Sequence, residues 1–349
     1  MAADVGFQKL TLRTLLSLPT PILRALSGGG VVFQGGRTLE PRFQYLANAA
    51  RGAPPPMALT PELMRAATTE QIALVTGAPE PGVKTESHII DGPNGQIPMR
   101  AYRPSGQDGT APVLVFAHFG GGVIGDLETA DTFCSILARI AHCAVVSVDY
   151  RLAPEHRFPA GLDDVAAAYR YVRDHASQFG APAGHVAIGG DSIGGNFAAV
   201  ICQDLKRAGE PQPVLQLLIY PAVDLASEAP SMTTYAGAYP LSRATMEWFA
   251  AHYLGPDGDP KDPRASPLCA AAVDALAPAI VVTAGFDPLV DQGEAYARRL
   301  RDAGVHVVYR CYDGLPHAFT AFTGAAPAAD IACREIAGLV REGFEGRIP

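Results

Sequence analysis

No two of the six cysteines, Cys134, Cys143, Cys202, Cys269, Cys311 and Cys333, form a C-x-x-C pair. That spacing suits buried thiols in a reducing compartment better than a zinc site or a disulfide frame. Runs of Lys or Arg are also missing, and the net charge is −8, so there is no surface here to neutralise nucleic-acid phosphates. Nothing approaches the ~18 to 20 uninterrupted apolar residues of a membrane span. The segment LTLRTLLSLPTPILRALSGGG, residues 10–30, comes nearest to an export signal. Pro19, Pro21 and Arg24 break it and no A-x-A site follows, so it is expected to form a cap or interface helix on a cytoplasmic protein without stable membrane insertion. Repeats and low-complexity tracts are absent as well. What remains is a 48% hydrophobic chain with 36 glycines, a composition that buries a large core.

From about residue 84 the chain alternates between two kinds of segment. VKTESHII and IPMRAYRP flank the turn DGPNGQ and read as a hairpin. Then come six short β-branched runs, APVLVFAH, AVVSVDY, HVAIGG, PVLQLLIY, AIVVTAG and HVVYRCY, of the kind that fill a sheet covered on both faces. Segments with helical spacing lie between and after them: LETADTFCSILARIA, GLDDVAAAYRYVRDHASQF, GNFAAVICQDLKRAG, DQGEAYARRLRDAG and PAADIACREIAGLVREGF. Repeated strand, helix, strand order predicts a doubly wound α/β domain with a largely parallel sheet. Two regions break the alternation. Residues 1–80 contain a helix start with Thr60 as cap and Pro61 at its first position; residues 226–257 contain Trp248. Together they are expected to cap one end of a core made of residues 81–225 and 258–349.

The stretch AIGGDSIGGN, residues 187–196, runs an apolar strand into a glycine-flanked serine and at once into a helix. Strand, sharp turn and helix is the setting in which G-x-S-x-G acts as a nucleophile elbow; the five letters alone would be weak. A serine hydroxyl needs a base within hydrogen-bond reach and a group to orient that base. FDPLVDQG follows one late strand and DGLPHAF the next, so an acid and His317 would reach the same sheet edge as Ser192. Asp287 and Asp291 compete for the acid. Asp287 follows its strand directly, whereas Asp291 opens a helix and is explained as an N-cap, so Asp287 is favoured. The other histidines have structural readings on strands, at helix ends or in the cap. Oxyanion donors are expected from the N–H of Ile193 and from the Gly-rich loop His118 to Gly122.

The motifs HFGGGVIGDLETAD, VDYRLAPEHRFPAGLDD, GGDSIGGN, TAGFDPLVDQGEAYARRLRDAG and YDGLPHAF resemble those of the hormone-sensitive-lipase-like, family IV carboxylesterases over residues 84 to 320. The resemblance implies an α/β-hydrolase fold with a helical cap. It also implies hydrolysis of small esters with short to medium acyl chains through an acyl-enzyme, without metal or cofactor. It makes Ser192 the nucleophile, His317 the base, Asp287 the acid, and Gly120, Gly121 and Ile193 the oxyanion donors. Phe119, Gly122, Asp191 and Trp248 are assigned to the substrate pocket, with Asp191 also expected to brace the elbow through hydrogen bonds. Two features depart from the family: Phe119 follows His118, leaving Gly122 where an aromatic residue usually stands, and Ile193 replaces the usual alanine. YRLAPEHRFP, with Arg151, Glu155 and His156, is read as a structural loop.

An amide or formamide hydrolase would use the same three residues, since fold does not fix substrate. A small-molecule receptor of this fold, as gibberellin receptors are, lacks the histidine that is present here. The natural substrate is not legible in the sequence, and a homodimer is left open as a partner state.

Overall fold

The six β-branched runs become six parallel strands: five are buried along their whole length, as apolar runs covered on both faces are, and the last lies at the sheet edge partly exposed. The computed structural model describes residues 2–106 and 110–347. A small antiparallel ribbon, β1 (Phe33–Gln34) and β2 (Arg37–Thr38), precedes the main sheet. That sheet consists of β3 (Val83–Gly92), β4 (Gly95–Pro104), β5 (Val113–Ala117), β6 (Ala144–Val148), β7 (Val186–Asp191), β8 (Gln216–Ile219), β9 (Ala279–Phe286) and β10 (Val307–Pro316). Their order is β10-β9-β8-β7-β5-β6-β4-β3. Only the expected hairpin departs from parallel: β3 pairs antiparallel with β4, and β4 pairs antiparallel with β6.

The helices are α1 (Ala2–Leu16), α2 (Thr20–Leu26), α3 (Pro41–Ala49), α4 (Pro61–Val75), α5 (Asp131–Ala141), α6 (Ala160–Asp174), α7 (Ile193–Ala208), α8 (Pro230–Thr234), α9 (Arg243–Leu254), α10 (Val290–Asp302) and α11 (Pro327–Phe344). Alternation along β5 sends Val113, Val115 and Ala117 into one core with α6, α7 and α10, and Leu114 and Phe116 into a second core with α5 and α11. No helix among the described residues is long and apolar enough to cross a membrane.

Local chemistry sets several boundaries. Thr60 Oγ1 accepts from the Leu63 N–H at 3.4 Å at the start of α4, as its sequence signature predicts. α5 begins at Asp131 rather than at Leu127, because the Asp126 carboxylate takes the N–H groups of Glu128 and Thr129 at 2.9 and 3.1 Å and winds that stretch into a turn. Two of the cysteines expected to be buried are not: Cys269 is exposed and Cys311 half-buried.

The N-terminal elements and the 226–257 insertion meet. Gln34 Nε2 donates to the Thr234 carbonyl, Arg37 Nη1 to the Tyr235 hydroxyl at 3.3 Å, and Gln71 Nε2 to the Tyr239 hydroxyl.

Candidate active site

Ser192 stands between β7 and α7 with φ +58° and ψ −117°, a backbone conformation disfavoured for any residue with a Cβ. Such a position costs on the order of 1–3 kcal/mol and persists only where the surroundings enforce it. The flanking glycines show how they do. A Cβ on Gly194 would lie 1.9 Å from the Ala117 carbonyl oxygen, and one on Gly190 would lie 2.5 Å from the same atom. The turn is therefore pressed against the end of β5, and only glycine fits there.

The structure brings Ser192, His317 and Asp287 together across 125 residues of sequence. His317 Nε2 is 2.9 Å from Ser192 Oγ, and His317 Nδ1 is 2.7 Å from Asp287 Oδ2. Asp287 Oδ1 accepts from the Leu289 N–H at 2.9 Å, so both carboxylate oxygens are engaged in a fully buried position. All three side chains stand at the carboxyl ends of their strands, where an open α/β sheet places ligands. Asp291 does not cap α10 as its position suggests. The cap residue is Leu289, and Asp291 lies in the first turn, where its Oδ2 accepts from the Ser231 N–H at 2.8 Å and ties α10 to α8.

An apolar cavity of about 370 Å³ opens onto Ser192 and His317. Met64, Ile72 and Val75 of α4 form one wall, and Met246 and Phe249 of α9 form another, with Phe119 also lining it. Arg243, which also borders the cavity, pairs with Glu228 at 2.9 Å and with Glu247 at 3.0 Å. Gly120, Gly121 and Ile193 lie on the wall beside Ser192, and their N–H groups donate to no acceptor among the described residues. Free N–H groups next to a serine hydroxyl are the donors that a developing oxyanion requires.

Three residues assigned to the pocket from sequence stand outside its wall. Gly122 is turned toward α9, where a Cβ would meet the Tyr253 ring at 2.6 Å. Trp248 is buried behind the wall, edge-on to Phe249 with ring centroids 5.4 Å apart, because its face of α9 packs on the protein rather than the cavity. Asp191 points away beneath the elbow, where its Oδ2 accepts from the hydroxyls of Tyr220 and Thr320 at 2.8 and 2.9 Å.

The Gly-rich loop is braced from inside. The His118 ring stacks on Tyr150 at 4.4 Å, its Nδ1 stands 2.7 Å from the Phe119 carbonyl, and burial pushes its pKa down to about 4. It is therefore a neutral structural imidazole. In YRLAPEHRFP, Arg151 binds Asp164 with two contacts of 2.8 Å, and Glu155 takes Arg65 from α4. Arg65, Tyr220 and Thr320 are site-supporting residues that sequence reasoning missed.

Comparison with known proteins finds the same fold. A sequence profile for the alpha/beta hydrolase fold matches residues 114–321. The chain is 43% identical over 310 residues to the carboxylic ester hydrolase LipN of Mycobacterium tuberculosis, covering 86% of this chain and 82% of that protein. It is 37% identical to an ethyl acetate hydrolase of Pseudomonas putida, over 82% of this chain and 93% of that one. Among solved structures, an alpha/beta hydrolase enzyme from the metagenome of Lake Arreo superposes with a TM-score of 0.85 at 42% identity, covering 88% of this chain and 99% of that one.

Proposed function

The chain belongs to the hormone-sensitive-lipase-like, family IV carboxylesterases of the α/β-hydrolase fold and is a carboxylic ester hydrolase, and from that premise we propose that it cleaves short- to medium-chain esters through an acyl-enzyme on Ser192. The observation that carries this reading is the unbroken relay from Asp287 through His317 to Ser192, at 2.7 and 2.9 Å, opening into an apolar cavity.

In this mechanism Ser192 Oγ attacks the ester carbonyl while His317 Nε2 takes its proton. Asp287 holds the imidazole with Nε2 toward the serine and stabilises the imidazolium that forms. The N–H groups of Gly120, Gly121 and Ile193 receive the oxyanion, each contributing on the order of 10²- to 10³-fold to turnover. His317 then protonates the departing alcohol, and water repeats the sequence on the acyl-enzyme. Residues 1–80 and 226–257 act together as the cap, a reading supported by their mutual hydrogen bonds and by the walls that α4 and α9 give the cavity. The cavity volume lies at the low end of the roughly 300–1,000 Å³ common for ligand sites, which favours short acyl chains.

The test is hydrolysis of p-nitrophenyl esters from acetyl to palmitoyl by the parent and by Ser192→Ala. The expected result is a rate that peaks at short chains and falls ~10³-fold or more in the variant. Equal turnover by the variant, or turnover of amides and of no ester, overturns the proposal.

A further inference from the structure

Tyr220, just past the end of β8, has φ +33°, which is unfavourable for a bulky aromatic residue. Of the five non-glycine residues with positive φ among those described, three stand at one place: Ser192, Tyr220, and Ala318, which follows His317. Backbone strain persists where the surroundings over-determine it, and it collects at functional sites. Here the surroundings are explicit. The Tyr220 N–H donates to the Val282 carbonyl at 2.6 Å, and the ring lies 4.6 Å from the His317 imidazole. The buried hydroxyls of Tyr220 and Thr320 converge on Asp191 Oδ2 at 2.8 and 2.9 Å. Asp191 immediately precedes Ser192, and Thr320 follows His317 by three residues. One carboxylate oxygen and two hydroxyls thus tie the strand end that presents the serine to the loop that presents the histidine.

We propose that Tyr220 and Thr320 are positioning residues for proton transfer between Ser192 and His317, and that the Asp191 carboxylate they hold is a second anionic neighbour of the His317 imidazolium, beside Asp287. The proposal rests on the roles given above to Ser192 and His317. A buried anion acts strongly on a nearby cation because little water screens it. Burial pushes the Asp191 carboxyl up to about 6, while the two hydroxyls and His317 pull it down; two hydroxyls donating to one oxygen suit the ionised carboxylate, which only accepts. Tyr150, Cys134 and Cys333 are the other titratable groups that feel its charge, and burial first, then Asp191 itself among their acidic neighbours, pushes all three up, which keeps them neutral. Asp287 faces His317 from the other ring nitrogen.

A buried anion favours the cationic form of an imidazole beside it, so removing the anion takes away part of that stabilisation. In Asp191→Asn the acid limb of kcat/KM therefore moves to lower pH, by about 0.5–1 unit. The plateau kcat falls about tenfold with KM within about twofold, a fraction of the ~10²–10⁴ that a general base supplies. Tyr220→Phe keeps the ring but removes one donor that favours the ionised carboxylate, leaving Asp191 more readily protonated, and so shifts the limb in the same direction by less. Both are measured by pH-stat on the preferred ester, with melting temperature as a check on folding and Ser192→Ala as a control. An acid limb that superimposes on the parent's in both variants, whatever happens to kcat, overturns the proposal and leaves these residues a structural role. Should Asp191→Asn not fold, Tyr220→Phe decides alone. If Ser192→Ala retains activity the nucleophile assignment fails; if it is silent and the limbs do not move, only this inference fails.

Discussion

Arg65 and Glu155 join the N-terminal helix α4 to the loop after β6 through two parallel contacts, Nη1 to Oε1 at 2.8 Å and Nη2 to Oε2 at 2.7 Å. The same guanidinium also donates to the carbonyls of Val123 and Ala153, both at 2.8 Å. Val123 in turn donates its N–H to Gly120 at 3.0 Å. A planar fork with five donors can hold four acceptors in this way, whereas an ammonium cannot.

Arg65→Ala is therefore expected to loosen the Gly120–Gly121 loop from outside the cavity. Leaving two partly buried carbonyls without donors costs on the order of 1–3 kcal/mol, a fall in melting temperature of a few degrees, and kcat drops with it. Arg65→Lys is expected to recover little. Thermal melts and kcat for the two variants check this, and full recovery by lysine would show that charge alone matters.

Gly194→Ala places a methyl carbon 1.9 Å from the Ala117 carbonyl, a backbone atom that cannot yield without moving β5. This variant is expected to lose the fold or all activity. Gly237→Ala is the control, since nothing lies within 4 Å of its Cβ and its φ is ordinary. Soluble expression and melting temperature separate the two.

The contribution of His118 to stability should fall in mild acid. Its folded pKa of about 4 lies below the ~6.5 of the unfolded chain, so the unfolded state binds more protons between those values. Stability is then complete above pH ~6.5 and is lost as the pH falls toward 4, by up to about 3 kcal/mol. Asp191, raised to about 6 from the ~3.9 of an unfolded carboxyl, opposes this with an effect of similar size between pH ~4 and 6, so the His118 contribution is read as the difference between parent and variant. His118→Asn, which keeps a donor near the Phe119 carbonyl, is expected to gain melting temperature relative to the parent as the pH falls from 7 to 5, and an unchanged difference between the two would refute the assignment.

Phe119 lines the cavity, and Phe119→Ala enlarges it next to Ser192. The preferred acyl chain should lengthen, read from the p-nitrophenyl ester series, with some loss of melting temperature because the ring is also part of a buried core. An unmoved optimum would mean that the acyl chain lies elsewhere.

What the sequence made legible was local. The elbow could be read at Ser192 because glycines, strand and helix are adjacent in the chain, and Asp287 and His317 because each closely follows a β-branched run. The Asp126 turn was also within reach, since an acid before Thr129 is a turn signal, but helical spacing from Leu127 onward outweighed it. Tyr220, Thr320 and Arg65 carried no such pattern. Their partners lie 29, 129 and 90 residues away, and only the folded sheet brings them together. Trp248 was misplaced because assigning its segment to the cap does not show which of its side chains face the cavity.

The cavity walls come from α4 and α9, neither of which supplies Ser192, His317 or Asp287. Two walls of the cavity are thus written in stretches of the gene apart from those that carry the relay, while Phe119 stands beside the oxyanion loop. Substitutions at Met64, Ile72, Val75, Met246 or Phe249 reshape those walls without touching Ser192, His317, Asp287 or the Arg65 brace, which leaves the chain room to adapt toward new substrates.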